Sequence, residues 1–289
     1  MAVRFRGVTI PWEIELWLPR DFCEAEALEF RKLTKMAADA INAFEPPRGL
    51  KVRVLFDAGF LCPPVVAACR SRGFRWFSVA ARNRNLRRRN KPDRKIGDLG
   101  PGCLKHQSRR IRLKRTGGRW RWMHVAALDG SLKKIGEVRI VFSKRINDPS
   151  GHQLAMATDE TGLNPRDIVA IYESRWWIEV LLKELKGYLE LGAYQMQSWC
   201  AITRYLHTVC LAHLTLTHHA LSVLPTGKHN NAVGAPAKNG HQDLWLPGIT
   251  ERLADLRTAS KRHRILKFLS RTKAPTRVKK RLQEFLMDT

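Results

Sequence analysis

Hydrophobic and polar positions along the chain switch between the period of a strand and the period of a helix. Residues Val3 to Leu18 alternate and are rich in β-forming side chains, which predicts one or two strands with Pro11 at a bend or an edge. From Asp21 to Phe44 the apolar residues recur at helical spacing until Pro46-Pro47 ends the run. This second pattern predicts a helix.

A strand, a helix and a second strand follow one another in the next segment. The apolar run Lys51 to Phe56 predicts a strand that ends at Asp57. A helix from Pro63 to Arg72 and a strand from Phe74 to Ala81 complete a β-α-β unit. Ligands gather at the carboxyl ends of strands in such units, so Asp57 can face a metal ion. An isolated aspartate at a strand end is more often a turn former or a helix cap.

Residues 82 to 121 are strongly basic, with sixteen Lys or Arg side chains against two acidic ones. Ser108 to Val125 and Glu137 to Phe142 alternate like hairpin strands, whereas residues 91–93 and 100–102 predict loops. The segment is therefore either a solvated basic loop or a β-rich subdomain that lies on DNA.

Trp120 and Trp122 share one strand face, between Arg119 and Arg121. Their rings could stack on an unpaired base, or the hairpin could pack on the core.

The stretch from Asp167 to Trp199 predicts an amphipathic helix, with Asn164 as its N-cap and Pro165 as its first residue. Four polar residues share an arc of about 60° on a single helix: Tyr172, Arg175, Glu179 and Lys186. A break between Ala170 and Arg175 is an alternative. Such a strip is an ordinary solvated charged face unless other features give it a role.

The net charge of +26 and the pI near 10.6 favour a polyanionic partner, of which nucleic acid is the commonest. Six cysteines without a C-x-x-C motif fit a reduced, cytoplasmic setting. The apolar stretch from Cys200 to Leu224 contains an arginine and several histidines, so it predicts a core helix or helical pair and not a membrane span. The composition of Pro225 to Pro247 is that of a linker, and Arg257 to Thr289 carries eleven basic residues against two acidic ones.

Two other groups contain side chains that can bind a metal ion. His207, Cys210 and His213 recur every three residues, but a fourth ligand at zinc-finger spacing is not visible, which favours helix-face and core positions. A strand from Leu154 leads to Asp159, which could touch a metal or a catalytic lysine, although a loop cap is favoured.

The spacing of Tyr172, Arg175, Glu179 and Lys186 resembles the Y-(2)-R-(3)-E-(6)-K signature of the DDE transposases of bacterial insertion sequences, the family numbered four and its relatives. The run from Arg175 to Glu179 is similar to the R-W-x-I-E core of that signature. Asp57-Ala58-Gly59-Phe60 resembles the D-x-x-Y/F motif of the family, and Arg82-Asn83-Arg84 resembles its basic tripeptide.

The resemblance implies an α/β fold, an RNase H-like mixed sheet with flanking helices that is interrupted by a β-rich insertion and followed by a helical basic tail. The expected segments are a first part of the catalytic core without its first strand (1–84), a basic β-rich insertion (85–150), the remainder of the core with the signature helix (151–224), a linker (225–250) and a basic helical tail (251–289).

The resemblance also implies a metal site. Asp57 and Glu179 are the expected catalytic ligands of Mg²⁺ or Mn²⁺, two ions in an intact site, and Tyr172, Arg175 and Lys186 support them. The expected DNA-contacting residues are Arg82, Asn83, Arg84, Arg119, Trp120, Arg121, Trp122 and Lys183. The first aspartate of the family has no counterpart, which leads us to expect a chain truncated at its amino end.

The function implied is that of a DNA transposase, which cleaves and joins DNA strands with divalent metal ions. We expect a bacterial, cytoplasmic, nucleoid-associated protein that works on DNA as a homodimer and has no membrane partner. One alternative is a non-catalytic, basic DNA-binding remnant of a transposase. Another is an RNA-binding protein of the ribosomal type, which the nine tryptophans disfavour.

Overall fold

The structure, a computed structural model, describes residues 1–114, 120–146, 148, 151 and 153–223. The chain divides into two compact units. The first unit contains Met1 and Trp12–Val180, and the second contains Ala2–Pro11 and the chain from Leu181 onward. Arg119, the predicted linker (225–250) and the predicted tail (251–289) lie outside the described residues.

Strands and helices alternate over the described residues. The strands are β1 (Ala2–Phe5), β2 (Val8–Pro11), β3 (Arg53–Phe56), β4 (Arg75–Val79), β5 (Asn85–Arg88), β6 (Lys91–Lys95), β7 (Arg109–Lys114), β8 (Trp120–Leu132), β9 (Gly136–Arg145) and β10 (Gln153–Thr158). The helices are α1 (Arg20–Ala25), α2 (Leu33–Ala43), α3 (Pro63–Ser71), α4 (Ile96–His106), α5 (Pro165–Glu173), α6 (Trp176–Tyr188) and α7 (Trp199–Val223).

A mixed sheet of eight strands forms the centre of the first unit. Its strand order is β3-β4-β10-β9-β8-β5-β6, and β7 pairs with β8 beside this path. Strands β3 and β4 are parallel and are joined by α3, so the predicted β-α-β unit is confirmed. The other neighbours in the sheet are antiparallel. The mixed α/β class predicted from the sequence is therefore confirmed.

Strict alternation of side chains gives this sheet two apolar faces. On one face Trp76, Ile140 and Phe142 pack in a core with residues of α2, α3 and α4. On the other face Phe77 and Val141, the sequence neighbours of those residues, pack with residues of α5. Alternate residues along a strand therefore pack against different helices.

Two segments that the sequence predicted as loops lie in regular elements. Residues 91–93 belong to β6, an edge strand in which Pro92 is tolerated because one side of the strand needs no ladder partner. Residues 100–102 lie inside α4, whose apolar side chains Ile96, Leu99 and Cys103 are buried. Gly100 is also buried, and a Cβ there would lie 2.9 Å from Gln153 Oε1. The same Cβ would lie 3.1 Å from Phe142 Cδ1, so close packing favours glycine at a position where propensity alone predicts a break.

The predicted hairpin strands of the basic segment are present as β7, β8 and β9. They lie in one sheet with β4 and β10, because β9 pairs directly with β10. Strands of the predicted insertion and strands of the predicted core are thus neighbours in one sheet of the first unit.

Three predicted elements are divided differently in the structure. Strands β1 and β2 pair with each other in a separate two-stranded sheet, and not in the large sheet. The helix predicted from Asp21 to Phe44 is two helices, α1 and α2, because the intervening Ala27 has a φ of 51°. The signature segment is also two helices, α5 and α6, and the break falls at Ser174 and Arg175. The predicted cap of α5 is confirmed, since the Asn164 side chain accepts a hydrogen bond from the Arg166 N–H.

The second unit contains the later part of α6 and the long helix α7. Leu181, Leu185 and Val209 form its buried cluster. His213 is 1% exposed, and its Nε2 lies 3.4 Å from Glu184 Oε2. None of the helices in the described residues is long and apolar enough to cross a membrane.

Candidate active site

Asp57 directly follows β3 and continues its alternation. Phe56 faces the core with α3, whereas Leu55 faces the core with α5. Asp57 keeps an extended backbone, with φ of −79° and ψ of 166°, so its side chain points to the α5 side of the sheet. The carboxylate is 60% exposed.

Tyr172 lies on α5, and its side chain contacts the Asp57 carboxylate. Its ring packs in the core with Phe77 and Met156, and the residue is 7% exposed. The phenol oxygen lies 3.5 Å from Asp57 Oδ1 and donates to it. Burial is the main cause that raises the pKa of Tyr172 to about 12; the positive charge of Arg175 opposes this rise, and the negative charge of Asp57 adds to it. The hydroxyl therefore keeps its proton and remains a donor at neutral pH.

Arg175 lies at the break between α5 and α6 and contacts two carboxylates. Its Nε is 3.2 Å from Asp57 Oδ1, and its Nη1 is 3.4 Å from Asp57 Oδ2. The same Nη1 is 3.3 Å from Glu179 Oε1. One guanidinium thus joins the end of β3 to the first turn of α6.

Glu179 occupies that first turn, where a carboxylate is favoured by the helix dipole. Its side chain is 45% exposed. Since Asp57 Oδ2 and Glu179 Oε1 lie 3.4 Å and 3.3 Å from one nitrogen, the two oxygens are at most about 6.7 Å apart. The structure therefore brings Asp57, Tyr172, Arg175 and Glu179 together in the first unit.

The two carboxylates supply the hard oxygen ligands that Mg²⁺ and Mn²⁺ prefer. In the part of the chain that the structure describes, no group of three or more His, Cys, Asp or Glu side chains could hold a metal ion. The donor set therefore fits a divalent cation in chemistry, although it is smaller than three carboxylates.

Asp159 and Glu160 lie at the opposite edge of the sheet. Strand β10 is antiparallel to β4, so its carboxyl end meets the start of β4, while Asp57 follows the end of the parallel strand β3. Asp159 Oδ1 accepts the Trp76 backbone N–H at 3.0 Å, and Glu160 is bonded to Arg53 and Lys51. The structure therefore favours the alternative of Asp159 as a cap, since its carboxylate accepts a backbone N–H of β4 and lies away from Asp57.

The basic tripeptide follows the end of β4, at the same sheet edge as Asp57. Arg82 and Asn83 are exposed, whereas Arg84 donates to the Leu61 carbonyl just beyond the turn that contains Ala58–Phe60. Arg84 therefore fixes the segment that follows Asp57.

Strands β7 and β8 form a hairpin with two different faces. Leu113 and Met123 point into the core beside α5, and Arg121 on this side forms a 2.7 Å ion pair with Glu173 of α5. On the other face Trp120 and Trp122 are exposed by 51% and 41%. The hairpin packs on the core, as one of the two alternatives predicts, and its tryptophans are exposed; stacking on an unpaired base remains a prediction.

Two arginines complete that outer face and were not singled out from the sequence. The Arg110 guanidinium lies 4.2 Å from the Trp122 ring centroid, and the Arg112 guanidinium lies 4.5 Å from that of Trp120. We call Arg110, Arg112, Trp120 and Trp122 the Arg–Trp face. The sequence shows these side chains two residues apart on each strand, which is the spacing of one strand face. Their contact across the two strands could be predicted only with the register of the hairpin.

The remaining candidate residues belong to the second unit. Lys183 and Lys186 are exposed on α6, and the roles expected for them remain predictions. His207 is exposed on α7 whereas His213 is buried and hydrogen-bonded to Glu184 and Thr217. The three-residue repeat thus occupies helix-face and core positions, as the default interpretation expected.

Comparison with known protein families decides the class of the protein. Residues 32–215 match the family described as the transposase DDE domain. The chain belongs to this family. The matched residues include Asp57, Tyr172, Arg175 and Glu179. A search of curated proteins finds no match. Members of this family generally use divalent metals such as Mg²⁺.

The raised pKa of Tyr172 predicts that the free energy of unfolding of this domain decreases at alkaline pH. The unfolded state loses the phenol proton near pH 10 and the folded state near pH 12, so the contribution to stability is complete below pH 10 and is lost as the pH rises toward 12. We expect the free energy of unfolding of Tyr172→Phe to fall less steeply with pH above 10 than that of the wild type. Urea unfolding across this pH range, with Tyr188→Phe as control, measures the difference; parallel curves for Tyr172→Phe and wild type would contradict it.

Proposed function

We propose that this chain forms the catalytic core of an insertion-sequence DNA transposase related to the family numbered four. In this proposal Asp57 and Glu179 hold divalent metal ions, and the reaction is cleavage and transfer of DNA strands. The observation that carries the proposal is the contact of one guanidinium with two carboxylates that are 122 positions apart in the sequence. The family match supports the same chemistry independently.

The metal would be held by carboxylate oxygens of Asp57 and Glu179, with Mg²⁺ or Mn²⁺ as the suitable ions. When bound, divalent ions in such a site activate the attacking hydroxyl and stabilise the departing oxygen. The protein's own contribution is orientation. The Tyr172 hydroxyl donates to Asp57, and Arg175 restrains both carboxylates at the point where α6 begins.

A complete site in this class uses a third carboxylate, and the described residues offer none beside the pair. We propose that none of the described carboxylates takes the place of the family's first aspartate. The second candidate function, a non-catalytic DNA-binding protein derived from a transposase, is favoured by this single observation. Strand-cleavage measurements separate the two candidates.

The DNA contacts in this proposal come from two surfaces of the first unit. Arg82 and Asn83 lie at the sheet edge of Asp57 and would contact phosphates of the reacting strand. The Arg–Trp face would contact DNA with guanidinium groups and exposed indole rings, since aromatic rings stack on unpaired bases. Arg121 forms an ion pair with Glu173, so its role in this proposal is to hold the hairpin against α5.

Lys183, Lys186 and Arg119 remain candidates for phosphate contacts, from the resemblance alone. The same holds for the homodimer and for association with the bacterial nucleoid. Membership in a transposase family disfavours the RNA-binding alternative of the ribosomal type.

Removal of either carboxylate should abolish strand transfer. For Asp57→Asn and Glu179→Gln we expect product formation on a DNA duplex with Mn²⁺ to fall by about 100-fold or more, because each change removes a ligand of the metal that stabilises the transition state. Both side chains are exposed, so the variants should fold normally, which circular dichroism checks.

Matched controls for this assay are Asp98→Asn and Glu137→Gln, two exposed carboxylates on α4 and β9. Equal product from the wild type, the site variants and the controls would contradict the catalytic assignment. DNA binding without any product from the wild type would favour the second candidate function.

The Arg–Trp face predicts a preference for DNA with unpaired bases. We expect Trp122→Ala to weaken binding to a duplex with a single-stranded overhang by about tenfold, because stacking contributes about 1–3 kcal/mol per base, and to change binding to a blunt duplex much less. Fluorescence anisotropy with both DNAs measures this difference. Lys35→Gln, which changes an exposed side chain of α2, is the control. An equal loss of affinity for both DNAs would contradict stacking on unpaired bases and would indicate that the face contributes only electrostatic attraction.

A further inference from the structure

The contacts of Arg175 are longer than those of Arg31, another arginine of the first unit that joins two carboxylates. All three lie between 3.2 and 3.4 Å. Arg31, which also joins two carboxylates, contacts Glu15 at 2.7 Å and Asp39 at 2.9 Å. Charge-assisted hydrogen bonds are strongest at about 2.7–2.9 Å. Arg175 therefore holds its two partners more loosely than an arginine in a tight ion pair does.

The positive charge of Arg175 lies where a metal ion would compete with it. A guanidinium stays charged at any pH that the fold tolerates, so it cannot make room for a cation by losing its proton. A divalent cation that binds Asp57 and Glu179 uses the oxygens that Arg175 contacts and adds positive charge beside it. The guanidinium must then leave these oxygens or remain next to like charge.

The location of Arg175 permits such a change of partner. It lies between α5 and α6, outside the interior of both helices, and its side chain is 24% exposed. Asp57 and Glu179 are exposed on the side that an ion would approach, unlike Asp159, which is 9% exposed and bonded to a backbone N–H. A released guanidinium matches a phosphate group, which accepts two parallel hydrogen bonds from it.

We propose that Arg175 and a divalent cation are alternative counter-ions of Asp57 and Glu179, and that cation binding transfers Arg175 from these carboxylates to a DNA phosphate. This inference rests on the proposed metal site. Its consequence is that metal and DNA increase each other's affinity by one common factor, since coupling between two bound ligands is reciprocal. Without metal, Arg175 holds the carboxylates and is withheld from DNA.

The test measures binding of Mn²⁺ alone by titration calorimetry, and binding of a short labelled duplex by anisotropy with EDTA or with Mn²⁺. The variants are Arg175→Gln, Asp57→Asn and, as a matched control, Arg31→Gln. We expect Arg175→Gln to bind Mn²⁺ about tenfold more tightly than the wild type when DNA is absent, because a competing positive charge is gone. We also expect Mn²⁺ to strengthen DNA binding in the wild type and in Arg31→Gln, and not in Arg175→Gln.

Failure of the exchange and failure of the metal site give different results. If Asp57→Asn loses Mn²⁺ binding while Arg175→Gln binds Mn²⁺ equally or more weakly than the wild type, the exchange is overturned and the metal site stands. If Asp57→Asn binds Mn²⁺ as the wild type does, both ideas are overturned. A wild type without measurable Mn²⁺ affinity supports the exchange only if Arg175→Gln gains binding, and it overturns the exchange if no variant binds.

Discussion

The contact between Arg175 and Asp57 is the interaction on which the candidate site depends. It joins residues 118 positions apart, and it exists because three structural conditions are met. Strand β3 ends with Asp57 on the α5 side of the sheet, α5 packs Tyr172 against that side, and the chain breaks at Ser174 before α6 begins. A shift of β3 by one residue would turn Asp57 to the other face, because side chains alternate along a strand.

The electrostatics of the site follow from this arrangement. Two exposed carboxylates whose oxygens are at most about 6.7 Å apart repel each other, and a positive charge between them offsets the repulsion. A guanidinium supplies that charge in the structure, and a divalent ion would supply more of it. At the other edge of the sheet, Asp159 and Glu160 are bound to strand residues, and hydrogen bonding to Arg53 lowers the pKa of Glu160 to about 2. Asp159 and Glu160 at one edge therefore have a structural role, whereas Asp57 and Glu179 at the other edge are accessible to ligands.

Local patterns predicted the parts of the fold that depend on neighbouring residues. The β-α-β unit with Asp57 at its strand end and the Asn164 cap of α5 are of this kind. The helix α4 was not predictable, since Gly100 is favoured there by its packing against Phe142. The proximity of Tyr172, Arg175 and Glu179 was predicted from one continuous helix, with a break between Ala170 and Arg175 as the alternative, and the structure has the break. The Arg–Trp face depends on the pairing of Arg112 with Trp122, and register across a hairpin is not contained in either strand alone.

The central claim is that Asp57 and Glu179 bind the same cation. Anomalous diffraction from crystals soaked in Mn²⁺ tests it most directly, because it locates the metal without any assay of activity. The account predicts a manganese peak with oxygens of both carboxylates within about 2.0–2.5 Å, the range of oxygen ligands around divalent ions. A peak bound to only one of the two carboxylates, or bound elsewhere while both remain on Arg175, would contradict it.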